Sequence, residues 1–398
     1  MTTHICIVSE RLIPNLIPAL MLKPERVLLI TSMEMEQRGL TARLNNLLGS
    51  RGFDVTVKSG LPCGRLSLIS EYAKRLAADV RQSFSKDELV LNLTGGNKLM
   101  TIAFWQVLGP AVGKTIYTDT ASELLEELPQ PGHAEGISSP LESVLDIPLH
   151  LAAQGMRLRV SRSDEPRWEA AVHARTSLTD YLCNQARPLG DFIGKINHLA
   201  GQALDERSED LIQPLQHFSV TPWGPWADAV SRIDQLRLAR WDGHTGIVFR
   251  DAEAARYLNG GWLEEYAWLA ASELQPDDIG LRVEGDWEDT RKGSNELDVV
   301  IVHRNRLLLI ECKTLRMGWD TKQSDNSMLY KLDSVGEHVR SLFGEMVLLS
   351  AREPSPMVKD RAAHHRIQVV GPDRLSYLQP DIHDWMEQGR FPRSSSSH

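Results

Sequence analysis

The stretch ELDVVIVHRNRLLLIECKT, residues 296–314, predicts two apolar strands joined by a short turn near Asn305. The first strand has a polar start, and the second ends in Glu-Cys-Lys. Strands so close in sequence pair as an antiparallel hairpin, which brings the start of the first beside the end of the second. The stretch therefore places acidic and basic side chains together at one end of a buried sheet.

Three charged residues meet at that end of the hairpin: Asp298, Glu311 and Lys313. Residues i and i+2 of a strand project from the same face, so Glu311 and Lys313 point one way and Cys312 the other. Carboxylate oxygens are the ligands that Mg²⁺ prefers in proteins, and Mn²⁺ accepts the same donors. A metal held there polarises a phosphodiester and lowers the pKa of its bound water, which a lysine can orient. We therefore favour a catalytic metal site, with Asp298 and Glu311 as ligands, over a surface ion pair.

The sequence around the hairpin predicts a C-terminal α/β domain over residues 258–392. A helical pattern at 260–274 carries two adjacent acidic residues, Glu264 and Glu265. The segments 281–288, 345–351 and 366–370 have strand patterns, and residues 325–344 form an amphipathic helical pattern.

This arrangement resembles the PD-(D/E)xK nuclease superfamily, the restriction-endonuclease-like fold, over residues 258–372. The family pattern is an acidic residue on the first helix, an Asp on one strand and (D/E)xK on the next. It corresponds here to Glu264, Asp298, Glu311 and Lys313, although no proline precedes Asp298. Glu265 remains open as the helix residue; we favour Glu264 because it directly follows a large apolar residue. The resemblance implies a metal-dependent endonuclease with DNA or RNA as its substrate.

The first 120 residues alternate between strand and helix patterns. Strand patterns cover 4–10, 26–31, 53–60, 88–96 and 113–119, with helical patterns at 33–51, 64–83 and 97–108. This alternation predicts βαβ units and a parallel, doubly wound sheet. We expect a Rossmann-like domain over residues 1–155, closed by a hairpin-like tail at 143–151.

Polar residues follow several of these strands, where the carboxyl ends of a parallel sheet bind ligands. In LNLTGGNKLMTIAFW, residues 91–105, the turn Thr94–Gly95–Gly96 lets backbone N–H groups approach a ligand closely, and the helix beginning near Asn97 offers its N-terminus to phosphate. The other polar residues expected at this edge are Lys98, Ser9, Thr31 and Ser32. The edge thus predicts a site for a phosphate-bearing ligand, without the sequence signature of a Walker A loop or a dinucleotide-binding turn.

This N-terminal pattern resembles the CRISPR-associated Rossmann fold, or CARF, domain. The matching segments are Val8–Ser9–Glu10 after the first strand and Thr94–Gly95–Gly96–Asn97–Lys98 after the fourth. The resemblance implies a homodimer that binds a cyclic oligoadenylate, with cyclic tetra-adenylate favoured, across its twofold axis. A CARF domain followed by a PD-(D/E)xK domain is similar to the cyclic-oligoadenylate-activated ancillary nucleases of type III CRISPR defence.

Between these two domains, residues 156–257 predict a helical spacer. A turn-forming sequence at 242–246 follows its last helical pattern, so a winged-helix-like module is the alternative. That alternative suggests a second function, a nucleotide-sensing transcription regulator whose nuclease fold is inactive. Nothing in the sequence identifies a residue that would hydrolyse the activator.

Composition limits the class of protein. The 398-residue chain has a net charge of -9, and its two parts, 1–150 and 151–398, have 14 basic against 16 acidic and 30 against 37 residues. Any polyanion site must therefore be local or assisted by a metal. No apolar run approaches the about 18 residues that span a bilayer, and the four cysteines are scattered. We expect a cytoplasmic protein without a membrane segment, disulfides or structural zinc, in which Trp223 and Trp226 serve as packing anchors.

Overall fold

The computed structural model of the chain describes residues 1–129, 136–205, 208, 210–289, 293–314 and 344–392. These residues form two compact units. The N-terminal unit contains residues 1–157 and 287–289, and the C-terminal unit contains the other described residues. The helical pattern predicted at 325–344 lies outside the described residues, except for Gly344, where a strand begins.

The N-terminal unit alternates strands and helices as predicted. Its strands are β1 (Thr2–Ile7), β2 (Arg26–Ile30), β3 (Asp54–Lys58), β4 (Glu88–Asn92), β5 (Lys114–Asp119), β6 (Leu124–Glu127) and β7 (Ile137–Pro140). Its helices are α1 (Ile13–Leu22), α2 (Met33–Gln37), α3 (Leu40–Ser50), α4 (Leu66–Ser83), α5 (Lys98–Leu108) and α6 (Ile147–Ala153).

Seven described strands form one sheet in the order β3-β2-β1-β4-β5-β6-β7. The first five are parallel, and apolar residues cover both faces, with Ile5 and Ile7 in one core and Cys6 and Val8 in the other. The chain leaves β1 toward β2 and later returns to β4 on its other side. The carboxyl ends of β1 and β4 therefore flank the crevice in which sheets of this type bind ligands.

Two features of this unit differ from the sequence prediction. The predicted hairpin-like tail at 143–151 is wrong: Asp146 caps α6, and the antiparallel extension is formed instead by β6 and β7. Helix α1 was not predicted, because Pro18 lies inside it and proline removes a helical hydrogen bond. Burial of the apolar face of α1 stabilises the helix in spite of that loss.

The C-terminal unit begins with helices and a small sheet. Its helices are α7 (Trp168–Asn184), α8 (Gly190–Ala203), α9 (Pro225–Gln235), α10 (Ala252–Arg256), α11 (Trp262–Ser272), α12 (Pro356–His364) and α13 (Leu378–Gln388). The segment before α11 contributes Trp168, Phe192 and Ile233 to the same hydrophobic core as Trp262 and Val299. The identity of residues 156–257 as a separate spacer domain remains a prediction.

Strands of this unit form two sheets. The edge strand β8 (Met156–Val160) joins β12 (Asp278–Trp287), β13 (Ser294–His303), β14 (Arg306–Lys313), β15 (Gly344–Ser350) and β16 (Gln368–Val370) in the order β16-β15-β14-β13-β12-β8. The pairs β12–β13 and β13–β14 are antiparallel, whereas β14–β15 and β15–β16 are parallel. The small sheet contains β9 (Leu215–His217), β10 (Ala239–Trp241) and β11 (Gly246–Phe249), and the hairpin between β10 and β11 confirms the predicted turn.

The structure also describes the state of the cysteines and the hydropathy of the helices. All four cysteines are free thiols. Within the described part of the chain, no helix is long and apolar enough to cross a membrane.

The turn after β4 depends on the absence of side chains at two glycines. A Cβ on Gly95 would lie well under 3.0 Å from the Ile7 carbonyl oxygen, and Gly96 has a φ of +81° with its own steric conflict at Ile7. The β1 and β4 ends are thus close enough that only glycine is accommodated at residue 95.

We expect Gly95→Ala to lower the free energy of unfolding of this unit by about 3 kcal/mol, because the methyl group would displace the backbone of β1. Thermal denaturation followed by circular dichroism measures the change. The matched control is Gly49→Ala in α3, where a Cβ meets nothing within 4 Å and alanine should stabilise by about 0.5–1 kcal/mol. Equal melting temperatures for the two variants would contradict the packing at Gly95.

Candidate functional site

The predicted charged residues of the hairpin lie together at one end of the six-stranded sheet. Val299 of β13 pairs with Ile310 of β14 at the end of the ladder, and Asp298 and Glu311 are the residues just beyond this pair. The Lys313 ammonium donates to Glu311 Oε1 at 2.7 Å and lies 3.9 Å from Asp298 Oδ2. Cys312 faces the opposite side, where its thiol contacts the Leu263 carbonyl oxygen. The structure therefore brings both carboxylates to one ammonium.

Burial shifts the pKa values of the charged residues in this cluster. Asp298 and Glu311 are 7% and 6% exposed. Burial, then repulsion by Glu311, raises the pKa of Asp298 well above its usual range, although Lys313 and the Cys312 N–H act to lower it. Burial acts to lower the pKa of Lys313, but the two carboxylates outweigh it and the net shift is upward. Lys313 is therefore held as a cation beside the two buried carboxyl groups.

The two glutamates of α11 have different surroundings. Glu264 accepts a hydrogen bond from Arg282 Nε at 2.6 Å and is close enough to Asp298 to contribute to the rise of its pKa. Glu265 is buried in a two-pronged ion pair with Arg175, which also reaches Glu253 at 3.1 Å. This geometry favours Glu264 as the helix carboxylate that faces the cluster, and assigns Glu265 to holding helices α7 and α11 together.

The donor chemistry of the cluster fits a divalent metal. Asp298 and Glu311 supply hard oxygens, and a cation between them would relieve the repulsion that raises the pKa of Asp298. Among the residues that the structure describes, no three His, Cys, Asp or Glu side chains are close enough to hold a metal. This is compatible with Mg²⁺, which keeps several waters and is often bound by one or two carboxylates.

The glycine turn of the N-terminal unit lies at the carboxyl edge of its sheet. Cys6 of β1 pairs with Asn92 of β4, so the segments that follow these strands, with Ser9 and Thr94, lie at the same edge. Asn97 caps α5 by accepting from the Met100 N–H at 3.0 Å, and Lys98 is exposed at the first turn. The predicted residues Ser9, Gly95, Gly96, Asn97 and Lys98 are therefore placed around one edge.

The hydroxyl groups of this edge are mostly engaged inside the fold. Thr31 is completely buried and lies 2.6 Å from the Thr41 hydroxyl, and Ser32 caps α2. Thr94 donates to Asn92 Oδ1 at 2.6 Å and accepts from the Thr118 N–H at 2.8 Å. Ligand contacts by the side chains of Thr31, Ser32 and Thr94 remain predictions that these internal bonds do not favour.

Comparison with known proteins assigns both units to a family. A family model described as "Card1 CARF domain" matches residues 3–144, and one described as "Card1-like, endonuclease domain" matches residues 251–389. The chain belongs to the Card1-like CARF endonucleases. The N-terminal unit is its CARF domain, and the charged cluster lies in its endonuclease domain.

Solved structures have the same fold over nearly the whole chain of this CARF endonuclease. Can2 from Sulfobacillus thermosulfidooxidans in complex with cyclic tetra-adenylate matches 96% of this chain and 97% of its own, at 23% identity and a TM-score of 0.75. The protein VC1899 from Vibrio cholerae matches 98% and 99%, at 20% identity and a TM-score of 0.81. A type III CRISPR defence DNA nuclease activated by cyclic oligoadenylate matches 93% of this chain and 48% of its own, at 14% identity and a TM-score of 0.54. A comparison with curated proteins found no match.

Several residues of the CARF endonuclease that shape its sites were missed from the sequence. In the CARF domain, Asn92 donates to Asn15 Oδ1, and Asn15 donates to the Ile7 carbonyl oxygen at 2.8 Å, which fixes the ends of β1 and β4. A polar Asn92 inside an apolar strand was an available signal. Arg282 was also missed; it lies level with Asp298 on β12 in a left-handed conformation, with a φ of 46°.

One prediction about packing is wrong. Trp226 is a packing residue, with its ring 5.7 Å from that of Phe192, but Trp223 is 78% exposed. The Pro and Gly residues beside Trp223 hold this segment in a loop outside the core.

The roles of the two glutamates predict different stability effects in the endonuclease domain. Glu265→Gln should lower the free energy of unfolding by about 3 kcal/mol, because it leaves the Arg175 charge buried without its main partner. Glu264→Gln, whose partner Arg282 is 26% exposed, is the matched control and should cost about 1 kcal/mol or less. Chemical denaturation of both variants measures the difference, and a larger loss for Glu264→Gln would reverse the assignment.

Proposed function

We propose that this chain is a metal-dependent endonuclease that cleaves nucleic acid when a cyclic oligoadenylate binds its CARF domain. The observation that carries the proposal is the convergence of Asp298, Glu311 and Lys313 at one end of the endonuclease sheet. The family assignment of both domains supports it, as does the likeness to Can2, which was solved in complex with cyclic tetra-adenylate. We take cyclic tetra-adenylate as the activator and type III CRISPR defence in the cytoplasm as the setting.

The residues of the cluster have separate tasks in hydrolysis. Asp298 and Glu311 would hold Mg²⁺ or Mn²⁺, which supplies an activated water and polarises the phosphodiester. Lys313, kept charged by its neighbours, stabilises negative charge on the phosphate and orients the attacking water. Glu264 adds a further carboxylate beside Asp298, and Arg282 holds its orientation through their hydrogen bond.

The CARF domain would control this chemistry through a difference in affinity. A ligand shifts an equilibrium only as far as it binds the active state more tightly than the inactive one. Lys98, Ser9 and the glycine turn present positive charge and backbone donors to the phosphates of such a ligand. The contacts of Ser9 and Lys98 are accordingly expected to differ between the two states.

The regulator with an inactive nuclease fold is the weaker alternative. A protein whose nuclease fold is inactive would gain nothing from two adjacent buried carboxylates, because their burial and mutual repulsion are unfavourable. The complete set Asp298, Glu311 and Lys313 and the endonuclease family match therefore favour the enzyme.

The two sites are expected to fail separately when mutated. Glu311→Ala should reduce cleavage of labelled DNA or RNA in Mn²⁺ by at least about 100-fold while leaving cyclic tetra-adenylate binding unchanged. Lys98→Ala should weaken cyclic tetra-adenylate binding roughly ten-fold, because it removes one charged phosphate contact. Gel assays with and without EDTA and isothermal titration calorimetry measure the two effects.

The control variants make the same change of charge at positions outside the two proposed sites. Asp360→Ala on the exposed face of α12 matches Glu311→Ala, and Lys114→Ala at the opposite end of the CARF sheet matches Lys98→Ala. Cleavage by Glu311→Ala at the wild-type rate would rule out the proposed active site.

A second copy of the chain is the proposed partner of the CARF domain. Leu99, Ile102 and Trp105 are spaced along one face of α5 and are 39%, 43% and 43% exposed. Leu66 and Leu68 on the adjacent α4 are exposed as well. Clustered exposed apolar residues mark interaction surfaces, and a twofold dimer uses the same surface of both copies.

Trp105→Glu is expected to convert the dimer to monomer, because it places a charge in an apolar interface. Sedimentation velocity measures the oligomeric state. Trp223→Glu, which changes an exposed tryptophan of the C-terminal unit, is the matched control and should leave the dimer unchanged. A dimer that persists in Trp105→Glu would mean that α5 does not form the interface.

A further inference from the structure

A pocket of about 390 Å³ lies in the C-terminal unit, beside the end of β14. Its lining includes Arg187, Asp191, Ala351 and Arg352. Lys313 is level with Ser350 in the parallel ladder between β14 and β15, and the Ala351 N–H donates to the Lys313 carbonyl oxygen at 2.9 Å. The pocket therefore begins at the backbone of the lysine that completes the charged cluster.

The side chain of Arg352 is held in a defined position at the wall of this pocket. Its side chain is 16% exposed, and its guanidinium lies against α8 at Gly194, where a Cβ would come well under 3.0 Å from Nη1. Ser350 Oγ donates to the Arg352 carbonyl oxygen at 2.6 Å, which fixes the turn after β15. A glycine on the helix and a fixed turn together hold a cation at the wall of the pocket.

The carboxylates that pair with the two arginines are open to solvent. Arg352 donates to Asp191 at 2.8 Å, but the Asp191 side chain is 86% exposed, and Arg187 pairs with Asp373, whose side chain is 56% exposed. Exposed ion pairs of this kind contribute little stability. An incoming phosphate can therefore replace them at little cost and form the stronger bidentate contact that arginine makes with phosphate.

We propose that the Arg352 pocket binds a backbone phosphate of the nucleic-acid strand that this enzyme cleaves, with Arg187 at its rim. The inference rests on the proposed nuclease function and adds a substrate site to it.

Binding measurements on four variants test the pocket. The probes are a fluorescently labelled single-stranded DNA and the RNA of the same sequence, with EDTA present so that neither is cut. Arg352→Ala should weaken binding roughly ten-fold and lower the slope of log K against log salt by about 0.7, because one phosphate contact is lost. Arg352→Lys should keep most of that slope, since it keeps the charge.

Asp191→Ala separates a phosphate site from a structural ion pair. It frees Arg352 and removes a negative charge, so binding of the strand should tighten, whereas a purely structural pair predicts no gain. Arg390→Ala is the matched control, because Arg390 is exposed, lies outside the pocket lining and is close to Glu345 at the opposite end of β15, so its loss should not change binding. A loss confined to DNA or to RNA supports the pocket and identifies the strand.

Unchanged affinity in Arg352→Ala, or the absence of a gain in affinity in Asp191→Ala, would overturn the proposed site. Cleavage in Mn²⁺ distinguishes this failure from failure of the nuclease itself. If cleavage depends on Glu311 while Arg352→Ala keeps the wild-type KM, only the pocket is wrong. If Glu311→Ala still cuts, the proposed active site is wrong, whatever the Arg352 variants do.

Discussion

The endonuclease domain depends on one ammonium group held between two buried carboxylates. Asp298 and Glu311 meet because the hairpin register brings the middle of β13 beside the end of β14, and Lys313 offsets the repulsion between them. Removing one member of a buried charged set leaves the others without compensation. Burial of these charged groups at the end of an otherwise apolar sheet is therefore electrostatically unfavourable. The same groups are the ones that would bind a hard cation and a phosphodiester.

The CARF domain depends on a different constraint, which is the close approach of the carboxyl ends of β1 and β4. Gly95 lies against the Ile7 carbonyl oxygen, and the amides of Asn15 and Asn92 tie the same ends together. Backbone and buried amides thus form the edge, while the exposed Lys98 remains available at its rim. The same few residues hold the sheet together and present its ligand-binding edge, so the geometry of that edge is part of the stability of the domain.

Residue patterns predicted the parallel sheet and the catalytic hairpin because both depend on local signals. Apolar runs marked the strands, and the i, i+2 spacing placed Glu311 and Lys313 on one face. Helix α1 was not predicted because burial of its apolar face stabilises it more than Pro18 destabilises it, and a local sequence pattern does not show this. The exposure of Trp223 likewise depends on tertiary packing and not on a local pattern. The division between Glu264 and Glu265 became visible only with their partners, Arg282 and Arg175, which lie far from them in sequence.

The parallel ladder between β14 and β15 has a consequence for regulation. Lys313 and Ala351 are joined backbone to backbone, so the charged cluster and the turn that carries Arg352 belong to one stiff element. A signal arriving from elsewhere cannot assemble these groups by sliding one past the other without breaking that ladder. An activator of the kind proposed above would therefore control access of the nucleic-acid strand to these groups rather than their assembly.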